Sequence, residues 1–133
     1  VCLGMQCIAK YFGGEIVKAP EPYHGKNSEI FFDEDFELFK GFKQGFSATR
    51  YHSLMVKIAP SPHFSDFQAN AFKSKNYPSP TRGEGEAQIT AWTKDNIPMA
   101  LKIKDKPIYG VQFHPEAILT EHGIEIFKNF IKI

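Results

Sequence analysis

Apolar residues at Leu3, Ile8, Ala9 and Phe12, followed by Gly13-Gly14, predict a short helix that starts just after Cys2 and ends on a glycine cap. Glu15 to Lys18 predicts a short strand, after which Ala19-Pro20-Glu21-Pro22 forces an extended loop into the polar cluster His24-Gly25-Lys26-Asn27-Ser28. Glu29 to Phe32, Gly45 to Thr49 and Leu54 to Ile58 are apolar or alternating runs of strand length. From Pro60 to Glu86 the pattern dissolves among Pro, Gly, Ser, Lys and Asn, and an inserted loop is expected there. Ala87 to Thr93, Met99 to Lys104 and Ile108 to Phe113 then form a strand series, joined by turns at Lys94-Asp95-Asn96 and Asp105-Lys106-Pro107. Ile124, Phe127 and Ile131 recur at helical spacing and predict a closing helix.

No repeat or linker divides the 133 residues, which predicts one domain. A hydrophobic content of 42%, with 14% aromatic residues, is enough for a packed core rather than a disordered chain. Sixteen Lys and Arg against fifteen Asp and Glu leave no bulk charge that would draw the chain to nucleic acid or an anionic membrane. No apolar run approaches the roughly 20 residues of a membrane span. Two cysteines, Cys2 and Cys7, are too few and too close for a disulfide framework, so a reducing cytoplasm is the expected location.

Cys2 falls on an expected strand-to-helix turn with Gly4 two residues on, the second half of a G-x-nucleophile-x-G elbow. The positive end of a helix dipole there favours thiolate over thiol. Taken alone, Cys2 reads sooner as a small buried hydrophobe than as a nucleophile, and that reading is kept for Cys7 in mid-helix. At the end of the last apolar strand stands Gln112-Phe113-His114-Pro115-Glu116. If extended geometry persists, His114 and Glu116 project to one side, so that Glu116 fixes the imidazole tautomer and stabilises its cation. A lone H-x-E is also compatible with a solvated surface histidine. Zinc deaminases share H-x-E but need a downstream P-C-x-x-C, which does not follow, so neither metal nor cofactor is expected.

Read together, C-L-G-M-Q (Cys2 to Gln6), H-G-K-N-S (His24 to Ser28), T-R-Y-H-S-L (Thr49 to Leu54) and G-V-Q-F-H-P-E-A-I-L-T-E-H-G (Gly110 to Gly123) resemble the class I (triad) glutamine amidotransferases. The likeness is to the glutaminase subunits of anthranilate and aminodeoxychorismate synthases, and it extends over most of the chain apart from Pro60 to Glu86. It implies an α/β fold with a central, mostly parallel sheet flanked by helices. It also implies hydrolysis of glutamine through a γ-glutamyl thioester, with ammonia passed to a chorismate-using synthase subunit. Carried over residue by residue, Cys2 is the nucleophile, His114 the general base and acid, and Glu116 its orienter. Glutamine contacts fall on Gln6 and on the backbone of Ser53 and Leu54, one oxyanion donor on the N–H of Leu3, and the partner-facing segment on His24-Gly25-Lys26.

The family's second oxyanion donor belongs to a glycine-rich loop upstream of the nucleophile, which has no counterpart in these residues. Together with an opening Val1 in place of Met, this gives the expectation that residues 1–133 are the C-terminal, triad-bearing part of one such domain. Two alternatives stand beside the glutaminase reading: an inactive fragment of such a glutaminase, and a related γ-glutamyl hydrolase.

Overall fold

The computed structural model describes residues 1–58 and 85–133. In chain order these form helix α1 (Leu3–Tyr11), strands β1 (Glu15–Lys18) and β2 (Lys26–Phe32), a 3-10 turn (Glu37–Phe39) and strands β3 (Phe46–Arg50) and β4 (Leu54–Lys57). Strands β5 (Ala87–Thr93), β6 (Pro98–Ile103) and β7 (Tyr109–Val111) and helix α2 (Gly123–Lys132) follow. The expected insertion lies, but for Gly85 and Glu86, outside the described residues.

Helix α1 stops where the glycine pair stands. Gly13 takes φ 89°, its N–H donates to the Lys10 carbonyl, and the Gly14 N–H reaches back to Ala9 at 2.8 Å. This pair of hydrogen bonds is the Schellman closure that a left-handed glycine allows.

Five strands make one sheet in the order β3-β2-β5-β6-β7, and β1 pairs with β4 in a separate ribbon. Every one of these pairings is antiparallel, which departs from the mostly parallel sheet that the family resemblance implied. The connections explain it. Parallel neighbours need a crossover of about a dozen residues or more, whereas β5 and β6 are joined through Lys94 to Ile97 and β6 and β7 through Lys104 to Ile108. Asn96 and Asp105 adopt positive φ (64° and 59°) to close these turns. Strand β2 begins at Lys26, so the polar cluster expected to be loop is half strand.

Two apolar cores hold the site in place. Met5 and Ala9 of α1 pack with Val56, Ile58, Ile89, Leu101 and Ile103. An aromatic core is centred on Phe39, whose ring meets those of Phe32, Phe36 and Phe46 edge-on at 4.8–5.2 Å between centroids. Phe113, fully buried, sits against Phe39 and Phe46 and so fixes the backbone just ahead of His114. In α2 the apolar stripe that marked the helix, Ile124, Phe127 and Ile131, is exposed, and Ile126 enters the core instead. None of the described helices is long and apolar enough to cross a membrane.

Candidate active site

Cys2 caps α1 with φ 46° and ψ −101°, a conformation that L-residues rarely adopt. Its N–H donates to the Val111 carbonyl at 2.7 Å, which ties the start of α1 to the end of β7. The approach is close because of Gly110: a Cβ there would lie 3.0 Å from the Cα of Met5. Cys2 is half-buried, whereas Cys7 is exposed rather than buried in the helix as expected, because it lies on the face of α1 turned away from Met5, Gln6 and Ala9.

His114 stands three residues beyond Val111, in a turn rather than in an extended strand. The Ala117 N–H donates to the His114 carbonyl at 3.1 Å, and the His114 N–H to Thr49 at 3.0 Å. Thr120 braces the same turn, its hydroxyl donating to the His114 carbonyl at 2.7 Å while accepting from the Thr49 N–H at 3.0 Å. The expected pairing is thus reached by a different backbone: the turn folds Glu116 back so that Oε1 lies 2.6 Å from His114 Nδ1. Partial burial, the largest single influence, pushes the Glu116 carboxyl up, but the hydrogen bond and charge of His114, together with a backbone hydrogen bond, outweigh it and hold the group below the ordinary glutamate range. With Nδ1 carrying the proton donated to Glu116, the Nε2 lone pair is free to act as a base.

Gln6 is buried on α1 and its Nε2 donates to the Leu54 carbonyl at 3.3 Å and to Gln112 Oε1 at 3.2 Å. Gln112, fully buried, donates from Nε2 to Cys2 Sγ at 3.3 Å. The Leu54 carbonyl also accepts from His52 Nδ1 at 2.8 Å, while His52 Nε2 accepts from Arg50 Nε at 3.0 Å. Arg50 can only donate, so His52 is the Nδ1–H tautomer. Burial, with Arg50 and His114 nearby, pushes the His52 pKa down to about 4 despite the opposing bond to Leu54, so it is neutral at pH 7. Arg50 is itself buried, lies 3.3 Å over the Tyr23 ring and donates to Ser28 Oγ.

The residues assigned to glutamine and partner contact fall as follows. Ser53 offers its carbonyl to the Ala19 N–H at 2.9 Å. Leu3 opens α1, where the first N–H groups lack intrahelical acceptors. His24 and Lys26 are exposed, Gly25 has φ 68°, and Lys26 makes a loose 3.8 Å ion pair with Glu21. Tyr51 joins this segment to the His114–Glu116 pair, its ring edge-on to His24 at 5.5 Å and to His114 at 5.3 Å. Sequence reasoning passed over Arg50, Tyr51, His52 and Gln112 as contributors, although each lies inside a quoted motif. Gln112 and Tyr51 find their partners far along the chain, whereas Arg50, His52 and Leu54 meet within five residues through a local geometry that residue type alone does not reveal.

The family model for class-I glutamine amidotransferases matches residues 1–133. The chain belongs to that family. Among similar amidotransferase-related proteins, anthranilate synthase component 2 of Cyanophora paradoxa is 42% identical over 132 residues, covering 98% of this chain and 57% of the relative. The aminodeoxychorismate/anthranilate synthase component 2 of Bacillus subtilis (strain 168) is 42% identical over 132 residues, covering 99% and 56%. The chain therefore spans about half the length of the curated relatives it matches. Among solved structures, a putative GMP synthase subunit from Thermoplasma acidophilum superposes with a TM-score of 0.72 at 26% identity, covering 98% of this chain and 53% of that one. A glutamine amidotransferase from Thermotoga maritima shares the fold with a TM-score of 0.57 at 17% identity, over 98% of this chain and 43% of that one. The class-I amidotransferase fold thus accommodates the antiparallel strands of these residues.

Proposed function

We propose that residues 1–133 are the C-terminal, triad-bearing part of a glutaminase domain that hydrolyses glutamine and delivers ammonia to a chorismate-using synthase subunit. The observation that carries this reading is the joining of Cys2 to the strand that leads to His114, which is itself 2.6 Å from Glu116.

In the mechanism this supports, Cys2 Sγ attacks the side-chain carbonyl carbon of glutamine, and the Leu3 N–H donates to the oxygen as it gains charge. An oxyanion donor of this kind is worth roughly 10²- to 10³-fold in rate. His114 Nε2 takes the thiol proton and returns it to the departing nitrogen, which leaves as ammonia with a thioester on Cys2. His114 then takes a proton from water as its oxygen attacks the thioester, releasing glutamate and restoring the thiol.

Gln6 and Ser53-Leu54 form the substrate's cradle. Because His52 and Gln6 take both lone pairs of the Leu54 carbonyl, the α-amino group falls to Ser53, whose carbonyl has one bond, from Ala19. The segment His24-Gly25-Lys26 meets the synthase; its exposure and the Tyr51 ring between it and His114 support that role. Both cysteines are free, in keeping with a reducing cytoplasm.

Ammonia release from glutamine, measured with and without a chorismate-using synthase subunit, tests the proposal. Release that disappears in Cys2→Ser supports it; undiminished release in that variant overturns the mechanism. No release from the chain under either condition would favour an inactive fragment, and turnover of γ-glutamyl peptides without a synthase would favour the hydrolase.

A further inference from the structure

We propose that Gln112 is a further catalytic residue, whose side-chain N–H donates to Cys2 Sγ and stabilises the sulfur while it carries negative charge. The inference rests on the reading of Cys2 as the nucleophile. Its basis is a chain of hydrogen bonds with only one self-consistent direction. The Leu54 carbonyl can only accept, so the Gln6 atom 3.3 Å from it is the amide nitrogen. That nitrogen also lies 3.2 Å from the Gln112 side chain, whose nearer atom must therefore be the oxygen. The remaining atom of the Gln112 amide is then its nitrogen, and it points at Cys2 Sγ at 3.3 Å. Gln112 is fully buried and Gln6 nearly so, which leaves little water to compete for these bonds or to let either amide turn over. A backbone carbonyl on β4 thus sets which end of a side chain beyond β7 meets the nucleophile.

A packing residue at this position would tolerate any side chain of the same shape; a donor would not. Gln112→Met keeps the volume and removes the donor. Gln112→Glu keeps the shape and the bond from Gln6 but turns an acceptor oxygen toward the sulfur. The test is the rate at which iodoacetamide alkylates Cys2 as a function of pH, read by mass spectrometry on the Cys2 peptide so that exposed Cys7 does not contribute. At pH 7, Gln112→Met should react about tenfold more slowly than the unsubstituted chain, the scale of one hydrogen bond to a charged group. Gln112→Glu should be slower still, and both should regain speed as the pH is raised. Wild-type rates in both variants, or a glutamate variant faster than the methionine one, overturn the proposal.

Thermal melts identify a variant that has failed to fold. If both Gln112 variants fail, Gln6→Met decides, because it leaves Gln112 in place but releases its amide to rotate. A several-fold slower alkylation supports the proposal, and an unchanged rate overturns it. Alkylation needs no glutamine turnover, so failure of the glutaminase reading would show separately, as absent ammonia release from a chain whose Cys2 still responds to Gln112.

Discussion

His114 Nδ1 and Glu116 Oε1 lie 2.6 Å apart across a turn in which Pro115 is the only residue between them. Because the hydrogen bond and charge of His114, together with a backbone hydrogen bond, outweigh burial and hold the Glu116 carboxyl below its ordinary range, the pair is intact above the unfolded-state value. It should be lost only as pH falls through the lower folded value. The Glu116 carboxyl chemical shift, followed by NMR from pH 7 downward, should move later than that of exposed glutamates and should lose this delay in His114→Ala. On catalysis, His114→Ala should lower ammonia release by about 10²- to 10⁴-fold. Glu116→Gln, which keeps an acceptor for Nδ1 but loses the charge, should lower it less.

His52 makes folding stability depend on pH in the same direction, but by favouring a neutral group rather than a charged one. Its folded pKa, near 4, lies below the ordinary histidine value of 6.5, so between those values the unfolded chain holds a proton that the native one does not. Stability is full above about pH 6.5 and declines as pH falls toward 4. At about 1.4 kcal/mol per unit the loss is on the order of 3 kcal/mol. Melting temperatures at pH 7 and pH 5 should differ more for the native chain than for His52→Asn, which does not titrate. An equal difference would remove His52 from the account.

Gly123 opens α2 against the turn that carries His114 and Glu116, and an added Cβ would run into the Pro115 carbonyl oxygen. Gly123→Ala should therefore shift either α2 or the turn, at about 1–3 kcal/mol by the usual scale of overpacking. A urea unfolding midpoint reads the stability. Ammonia release should also fall, because Pro115 carries His114 and Glu116 on either side; retained release would show that α2 rather than the turn gives way.

The strained backbone of Cys2 predicts that this residue can be replaced by a more stable one. Cys2→Ala keeps a Cβ at φ 46°, whereas Cys2→Gly relieves strain of about 1–3 kcal/mol against about 0.4–1 kcal/mol of extra unfolded-state entropy. Denaturant titrations should find the glycine variant about 1 kcal/mol more stable than the alanine one, both without activity. Equal stabilities would show that the turn relaxes around Cβ.

Much of this arrangement can be read along the chain because its signals are local. Gly13 and Gly14 mark the end of α1, β1 and β5 occupy the residues expected to form them, and Cys2, His114 and Glu116 lie in motifs only a few residues long. What escaped depends on contacts between distant residues. The direction of the strands follows from which neighbours pair, and the 3-10 turn at Glu37–Phe39 is held by aromatic packing rather than by periodicity. Gln112 looks like an ordinary polar residue until the fold brings Cys2 beside it, and the short-range Arg50–His52–Leu54 chain shows only once burial and side-chain orientation are known. Exposure of Ile124, Phe127 and Ile131 shows the converse: helical spacing identifies a helix without saying which side meets the core.

The bond from Cys2 N–H to the Val111 carbonyl also bears on the order of events in folding. It closes nearly the whole length of the chain, a contact whose entropy must be met before any local stabilisation repays it. Cys2 therefore cannot acquire its environment from helix α1 alone; it waits on the last strand of the sheet. In a refolding time course, the distinctive reactivity of Cys2 should emerge after the helical signal and together with the final protection of β7 amides, making one sulfur atom a chemical clock for completion of the fold.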